Sequence, residues 1–286
     1  MRTFAIRSID SPCTRPRGFT LIELMVAVTI GLFLVGGLLT LVQALKSTTA
    51  TQNAMSQLQD NERMAMQLIT DVVQSSGYFV APLSNSAQTA FPAVGQYSYS
   101  GPPAGKTDTF ASSGQTLAGT YAASTPGGDT ITARYMTNGL PKNGGSDNVI
   151  NCTGNTNNAG AAVTFINTFS VVNGNLQCFV VTISGGNAVM SPPITLMSGI
   201  YSMSVLYGVQ TNTTVSNGSA DTYLNAHDVS IGNYWGAVKS VKVTLQFVNP
   251  MWGTLAGQTE SGNTLQYVPF TRVITVMSNT GVTITG

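Results

Sequence analysis

Hydrophobic positions change their period twice along the chain. The run FTLIELMVAVTIGLFLVGGLLTLV, from Phe19 to Val42, is apolar almost throughout. As a helix it would be about 36 Å long, enough to cross a hydrocarbon core of about 30 Å. The pattern then becomes amphipathic without a break: Met55, Leu58, Ala65, Met66, Ile69, Val72 and Val73 recur at helical spacings. Asp60, Glu62, Arg63 and Asp71 fall on the other faces. Gly77 is a natural stop and Pro82 bars continuation, so one helix of about 87 Å is expected from Phe19 to Ser76. Residues 83–128 are rich in Ser, Thr, Gly, Ala and Pro and predict a surface excursion with little regular structure. From Asp129 onward the signal is β. Strands are predicted at 130–136, 163–172, 176–184, 200–210, 237–248 and 271–279, each rich in Val, Ile, Thr, Tyr or Phe. Asn173-Gly174 between two of them predicts a hairpin. One long helix followed by an antiparallel sheet is an α+β plan, with the helix covering one sheet face.

Composition narrows the function. Charged residues are 8 % of the 286, against about 25 % in ordinary domains, and the net charge is +1. No basic field for nucleic acid is indicated. A single histidine, His227, leaves no room for a multi-histidine metal site, so most catalytic designs are disfavoured. Charge is asymmetric at the front: Arg2, Arg7, Arg15 and Arg17 against Asp10 give the first eighteen residues +3, and the remainder −2. Basic residues before an apolar run keep the N-terminus cytoplasmic and export the rest of the chain. A cleaved secretory signal, ending near Ala44, is one reading, but its apolar region would be about 7–15 residues long. A plain anchor is a second. Neither explains Glu23, whose cost inside lipid is about 2.5–3.5 kcal/mol by analogy with Asp. A cut after Gly18 would create an ammonium at Phe19, about one turn away. Opposite charges at about 4 Å attract by about 4 kcal/mol at an effective dielectric near 20.

Arg17-Gly18-Phe19-Thr20-Leu21-Ile22-Glu23 resembles the processing motif of type IV prepilins and of type II secretion pseudopilins. The resemblance implies cleavage after Gly18 by a prepilin peptidase and N-methylation of Phe19. It also gives Glu23 a role in methylation and in pairing with a neighbour's N-terminus during assembly. It further implies a pilin fold, with a leader at 1–18, a helix at 19–77 whose part 19–42 is the transmembrane and filament-core segment, and a β-rich head at 78–286. Many major pilins carry a proline within the apolar stretch; here none lies between Pro16 and Pro82, and a straighter helix is expected. Within the family the chain is most similar to PilW-type minor pilins (pilus assembly proteins). That likeness rests on QLQDNERMAMQLITDVVQSSGYF, on a sheet with two cysteines, on ITLMSGIYSMSVLYGVQ, on a late strand near Arg272 and on size. It implies a subunit present in small amounts at the pilus tip. The implied partners are other minor pilins, the major pilin and an inner-membrane assembly platform.

Cys13 would leave with the leader. Cys152 and Cys178 remain, an even count in an exported domain, and a disulfide between them would contribute about 3.5 kcal/mol. The alternatives are a lone reactive thiol or half a metal site, though no base lies near in sequence. His227-Asp228 sits in a Gly/Asn/Ser-rich loop without a Gly-x-Ser-x-Gly elbow, and is expected to be a solvated pair. Asp221 and Asp228 lack calcium-loop spacing, and the TPGGD and KNGGSD clusters precede no phosphate-binding helix. No metal or cofactor is expected. Tyr97, Tyr99 and Tyr121 are either adhesive aromatics or packed under their own loop. Three functions remain open: a minor pilin, a type II secretion pseudopilin, or a membrane-anchored adhesin or enzyme with an accidental motif. The first is favoured, with the protein in the inner membrane before its assembly into an extracellular pilus.

Overall fold

The computed structural model describes residues 18–80, 85–95, 109–122, 127–139, 149–212, 219–250, 252 and 266–276. They fall into two compact units divided between Asn53 and Ala54. A single helix, α1 (Leu21–Gln74), runs through that boundary without interruption, as the absence of proline predicts.

In the first unit the helix is bare. The large apolar side chains from Phe19 to Leu45 are exposed, and no residue of that stretch is buried. Hydroxyls within the apolar stretch bond back to the helix. Thr29 donates to the Val26 carbonyl and Thr40 to that of Gly37, both at 2.8 Å. Such back-bonding lets a threonine sit in an apolar medium without an orphaned donor.

The second unit begins with the amphipathic part of α1, where Leu58, Ala65, Met66, Ile69, Thr70, Val72 and Val73 are buried. All but Thr70 are positions marked by the helical spacing. After α1 come α2 (Ala87–Ala90), β1 (Leu117–Thr120), β2 (Gly127–Gly128), β3 (Thr130–Thr137), β4 (Val163–Val172) and β5 (Asn175–Ser184). Then follow β6 (Asn187–Met190), β7 (Ile194–Ser198), β8 (Ile200–Val209), β9 (Thr222–Leu224), α3 (Ala226–Ile231), β10 (Val238–Val248) and β11 (Tyr267–Thr275). These strands build two sheets where the sequence pattern suggested one. The first has the order β1-β3-β4-β5-β6 with β7 also on β5; the second has the order β11-β10-β8-β2 with β9 also on β8. All pairings are antiparallel except β2 with β8. Alternating inward residues of both sheets, including Tyr135, Phe169, Leu176, Val205, Val243 and Leu245, join the helix residues in one hydrophobic core.

The Asn173-Gly174 turn is as predicted. Both residues have positive φ, 50° and 76°, and Val172 pairs with Asn175 across the two-residue loop. That backbone twist matches the twist of the flanking strands, which is why Asn-Gly is favoured there. The last strand starts earlier than expected, at Tyr267, while 277–279 lie outside the described residues.

The stretch 83–128 is more structured than its composition suggests. Its described part contributes α2, β1 and β2, and buries Phe91, Phe110, Leu117 and Ala118. Phe110 and Ala118 pack with Ile166, Phe179 and Val181 on the far face of the first sheet, forming a second, smaller core.

Candidate functional site

The site with chemistry in its sequence is the start of α1. Gly18, Phe19 and Thr20 precede the helix, and Phe19 is 83 % exposed. Thr20 is positioned to start the helix: its hydroxyl accepts the Glu23 N–H at 3.4 Å, and its carbonyl accepts the Leu24 N–H at 3.2 Å. Thr20-x-x-Glu23 is therefore also the spacing of a capping box, a signal that the charge argument alone passes over. Glu23 stands in the first turn, where the helix macrodipole favours a carboxylate. Two independent effects thus draw negative charge to this point: the unpaired N–H groups of the turn, and any ammonium generated at residue 19.

Cys152 and Cys178 form a disulfide with Cα atoms 6.3 Å apart. Both are buried, and the Cys152 N–H donates to the Oδ1 atom of buried Asn167 on β4 at 2.9 Å. The bridge thereby fastens the loop before β4 to β5. Beside it lies an uncharged cavity of about 280 Å³, lined by Asn151, Thr153, Asn157, Phe165 and Thr182 among others. It contains no titratable side chain among its lining residues.

The other sequence candidates are engaged in local structure. His227 and Asp228 are 3.3 Å apart and exposed. Asp228 also accepts from the side chain of Asn225, which caps α3 by accepting the Asp228 N–H. Asp221 accepts from the N–H groups of Thr211 and Asn212 and from the Thr211 hydroxyl. Those bonds, the Asn212 N–H foremost, hold its carboxyl below the usual carboxylate value. Among the described residues no cluster of His, Cys, Asp and Glu is arranged to hold a metal. Tyr121 is 48 % exposed, while Tyr97 and Tyr99 lie outside the described residues.

Two buried charged residues do not stand out in the sequence. Arg134, on β3, is 1 % exposed. Its guanidinium lies 4.2 Å from the Phe110 ring centroid and 5.3 Å from that of Phe91, and donates to the carbonyls of Gln115, Pro92 and Phe91. It pins 91–92 and 110–115 onto the outer face of the first sheet. Asp129 follows the Gly127-Gly128 pair; its carboxylate accepts from Ala122 N–H at 2.9 Å and Val205 N–H at 2.8 Å. Burial pushes this carboxyl up, and the two N–H donors offset part of the rise. The residue's own N–H donates to Met203 at 2.8 Å, so one short segment ties the region before β3 to β8.

Two family models match. The prokaryotic N-terminal methylation motif matches residues 13–39, enclosing Gly18, Phe19 and Glu23, and the type IV pilus-assembly protein W family matches residues 163–282, from β4 past β11. The chain is a PilW-type prepilin. Among solved structures the prepilin is similar to a type IV-like pilin from Thermus thermophilus, at 10 % identity over 78 % of this chain and 96 % of that one, with a TM-score of 0.37. It is also similar to a chain of the GspK–GspI–GspJ complex from the type 2 secretion system of enterotoxigenic Escherichia coli. That match has 11 % identity over 79 % of this chain and 97 % of the other, with a TM-score of 0.34. No curated protein matches. The prepilin motif in front of a bare, membrane-length helix makes this a membrane-anchored, single-pass protein of the type IV pilin class.

Proposed function

We propose that this prepilin is a minor type IV pilin. It is cut after Gly18 by the prepilin peptidase, methylated at Phe19, and incorporated at or near the pilus tip, where it primes assembly. The N-terminus begins in the cytoplasm and the head in the periplasm; extraction from the inner membrane carries the subunit into the extracellular filament. One observation carries the reading: Gly18 and Phe19 precede a helix that has a carboxylate in its first turn and uncovered apolar side chains along its next twenty or so residues.

The mechanism is electrostatic and geometric. In lipid, the Glu23 carboxylate is costly unless a cation compensates it. Cutting supplies an ammonium at residue 19. In a filament, that of a neighbouring subunit meets Glu23, so docking relieves an unpaired charge while apolar helices exchange lipid for one another. The other minor pilins, the major pilin and the assembly platform are the partners this requires.

Replacing Gly18 by Leu blocks cleavage and assembly in this reading, as seen by the size of the membrane-extracted protein and the piliation of the cell. A Gly18→Leu protein that functions unaltered would favour an anchored enzyme or adhesin instead. Deleting the gene separates pilus from pseudopilus: loss of twitching or DNA uptake supports the first, loss of exoprotein secretion the second.

A further inference from the structure

The cavity beside the disulfide is walled by the loop 151–159 and floored by the inner face of the first sheet. Asn151 and Asn157, both buried, fix the loop from within. The Asn151 Oδ1 atom accepts from the Thr153 N–H, the Thr153 hydroxyl and the Asn155 N–H, at 3.0, 2.7 and 3.0 Å. The Asn157 amide donates to the carbonyls of Thr137 and Ala161, and its Oδ1 atom accepts the Ala159 N–H. Cys152, between Asn151 and Thr153, is bonded to Cys178 on β5. The wall is thus held at three points, one of them covalent, and no ordering cost falls on whatever it binds. On β4 and β5 the cavity meets Val163, Phe165 and Val180, and beyond them Thr182 and Ser184. Thr182 lies opposite Phe165 in the ladder. Among the described residues the hydroxyls of Thr182 and Ser184 meet no partner. Ser191 also lines the cavity; its Oγ atom accepts the Val180 N–H at 2.9 Å and keeps its own proton to donate.

We propose that this cavity binds one neutral sugar ring, the terminal hexose or N-acetylhexosamine of a glycan. The donor set selects that class. No charged side chain is among the described residues that line the cavity, so a carboxylate, a phosphate or an ammonium would be desolvated there without a counter-charge. A wholly apolar ligand would strip water from the hydroxyls of Thr182, Ser184 and Ser191 and return no hydrogen bond. A pyranose satisfies both halves of the lining. Its hydroxyls, each a donor and an acceptor, match those of the protein, and its C–H face matches Val163, Phe165 and Val180. At about 280 Å³ the cavity stands at the small end of ligand sites, which run from about 300 to about 1,000 Å³. That volume admits one ring and not a chain of them, so it is the end of a glycan that is recognised. The site belongs to the head and is separate from the Gly18–Phe19 junction. Sugar binding is therefore independent of processing and of the place in a pilus.

The test is a titration of the purified full chain, in a detergent without a sugar head group, followed by saturation-transfer NMR of the added sugar. The probes are the methyl glycosides of glucose, galactose, mannose, N-acetylglucosamine and N-acetylgalactosamine, with N-acetylneuraminic acid as the charged control. Saturable binding of at least one neutral glycoside is expected, and binding of the charged sugar at least about tenfold weaker. Thr182→Val combined with Ser184→Ala removes two hydroxyls at little change in volume and is expected to weaken binding about tenfold. Ala159→Trp, at an exposed position on the wall, fills the cavity and is expected to abolish binding. Ser204→Ala, on the exposed side of β8, is expected to leave the affinity unchanged. A melting temperature equal to the parent's shows that each variant is folded. The sugar site is overturned if none of the neutral glycosides binds or if the charged sugar binds as tightly. It is equally overturned if the Thr182→Val, Ser184→Ala chain or the Ala159→Trp chain binds as the parent does.

Discussion

Arg134, 1 % exposed, lies between two phenyl rings with three carbonyls taking its protons. Truncating it strips those carbonyls of a charged donor and opens a void, so Arg134→Ala is expected to lower head stability by about 3–5 kcal/mol in denaturant unfolding followed by fluorescence. Arg134→Lys should recover only part, because an ammonium cannot reproduce a planar fork of donors. Asp129 and Asp221 give opposite pH signatures. Burial raises the folded-state value of Asp129 above its ordinary 3.8, so its contribution is complete below that value and is lost as pH rises through the raised one. Hydrogen bonds lower Asp221, so its contribution is complete above 3.8 and is lost as pH falls. Unfolding free energies of Asp129→Asn and Asp221→Asn relative to the parent, measured from about pH 3 to about pH 7, should therefore drift in opposite directions. The sequence announced neither Arg134 nor Asp129. Alternation in TITARYM puts Arg134 on the face away from the main core, and only the chain folded over that face makes it buried. Glu23 was legible because an isolated charge in an apolar run stands out without any tertiary knowledge.

At the scale of elements, what could be read was what depends on local period or local turn chemistry. The amphipathic half of α1, the strands β3, β4, β5, β8 and β10, and the Asn173-Gly174 hairpin all declare themselves within a few residues. The short strands β6, β7 and β9 and helix α3 do not, because three to six residues carry too little period to register. The division into two sheets was also invisible, since pairing partners lie far apart in sequence. Gly127-Gly128 shows the same limit: read as loop glycines, they form β2, the parallel partner of β8. Gly128 has φ +83°, and a Cβ there would overlap the Met203 carbonyl. Gly128→Ala is therefore expected to cost about 2–4 kcal/mol and to release the bonds around Asp129, detectable as faster amide exchange at Val205.

The whole molecule joins an uncovered apolar helix segment to a head with its own core and one covalent tie. Opening Cys152–Cys178 by a double serine substitution should lower head stability by about 3.5 kcal/mol in chemical unfolding, with the loop before β4 as the first part to become protease-sensitive. That tie concerns the head; the proposed function rests at the other end, on the peptide bond between Gly18 and Phe19. The intact mass and N-terminal sequence of the protein extracted from membranes test it most directly. A chain beginning at N-methyl-phenylalanine 19, lacking the first eighteen residues, is the expected result. A chain still carrying its leader, or one beginning near Lys46 as an ordinary secreted domain, would contradict it.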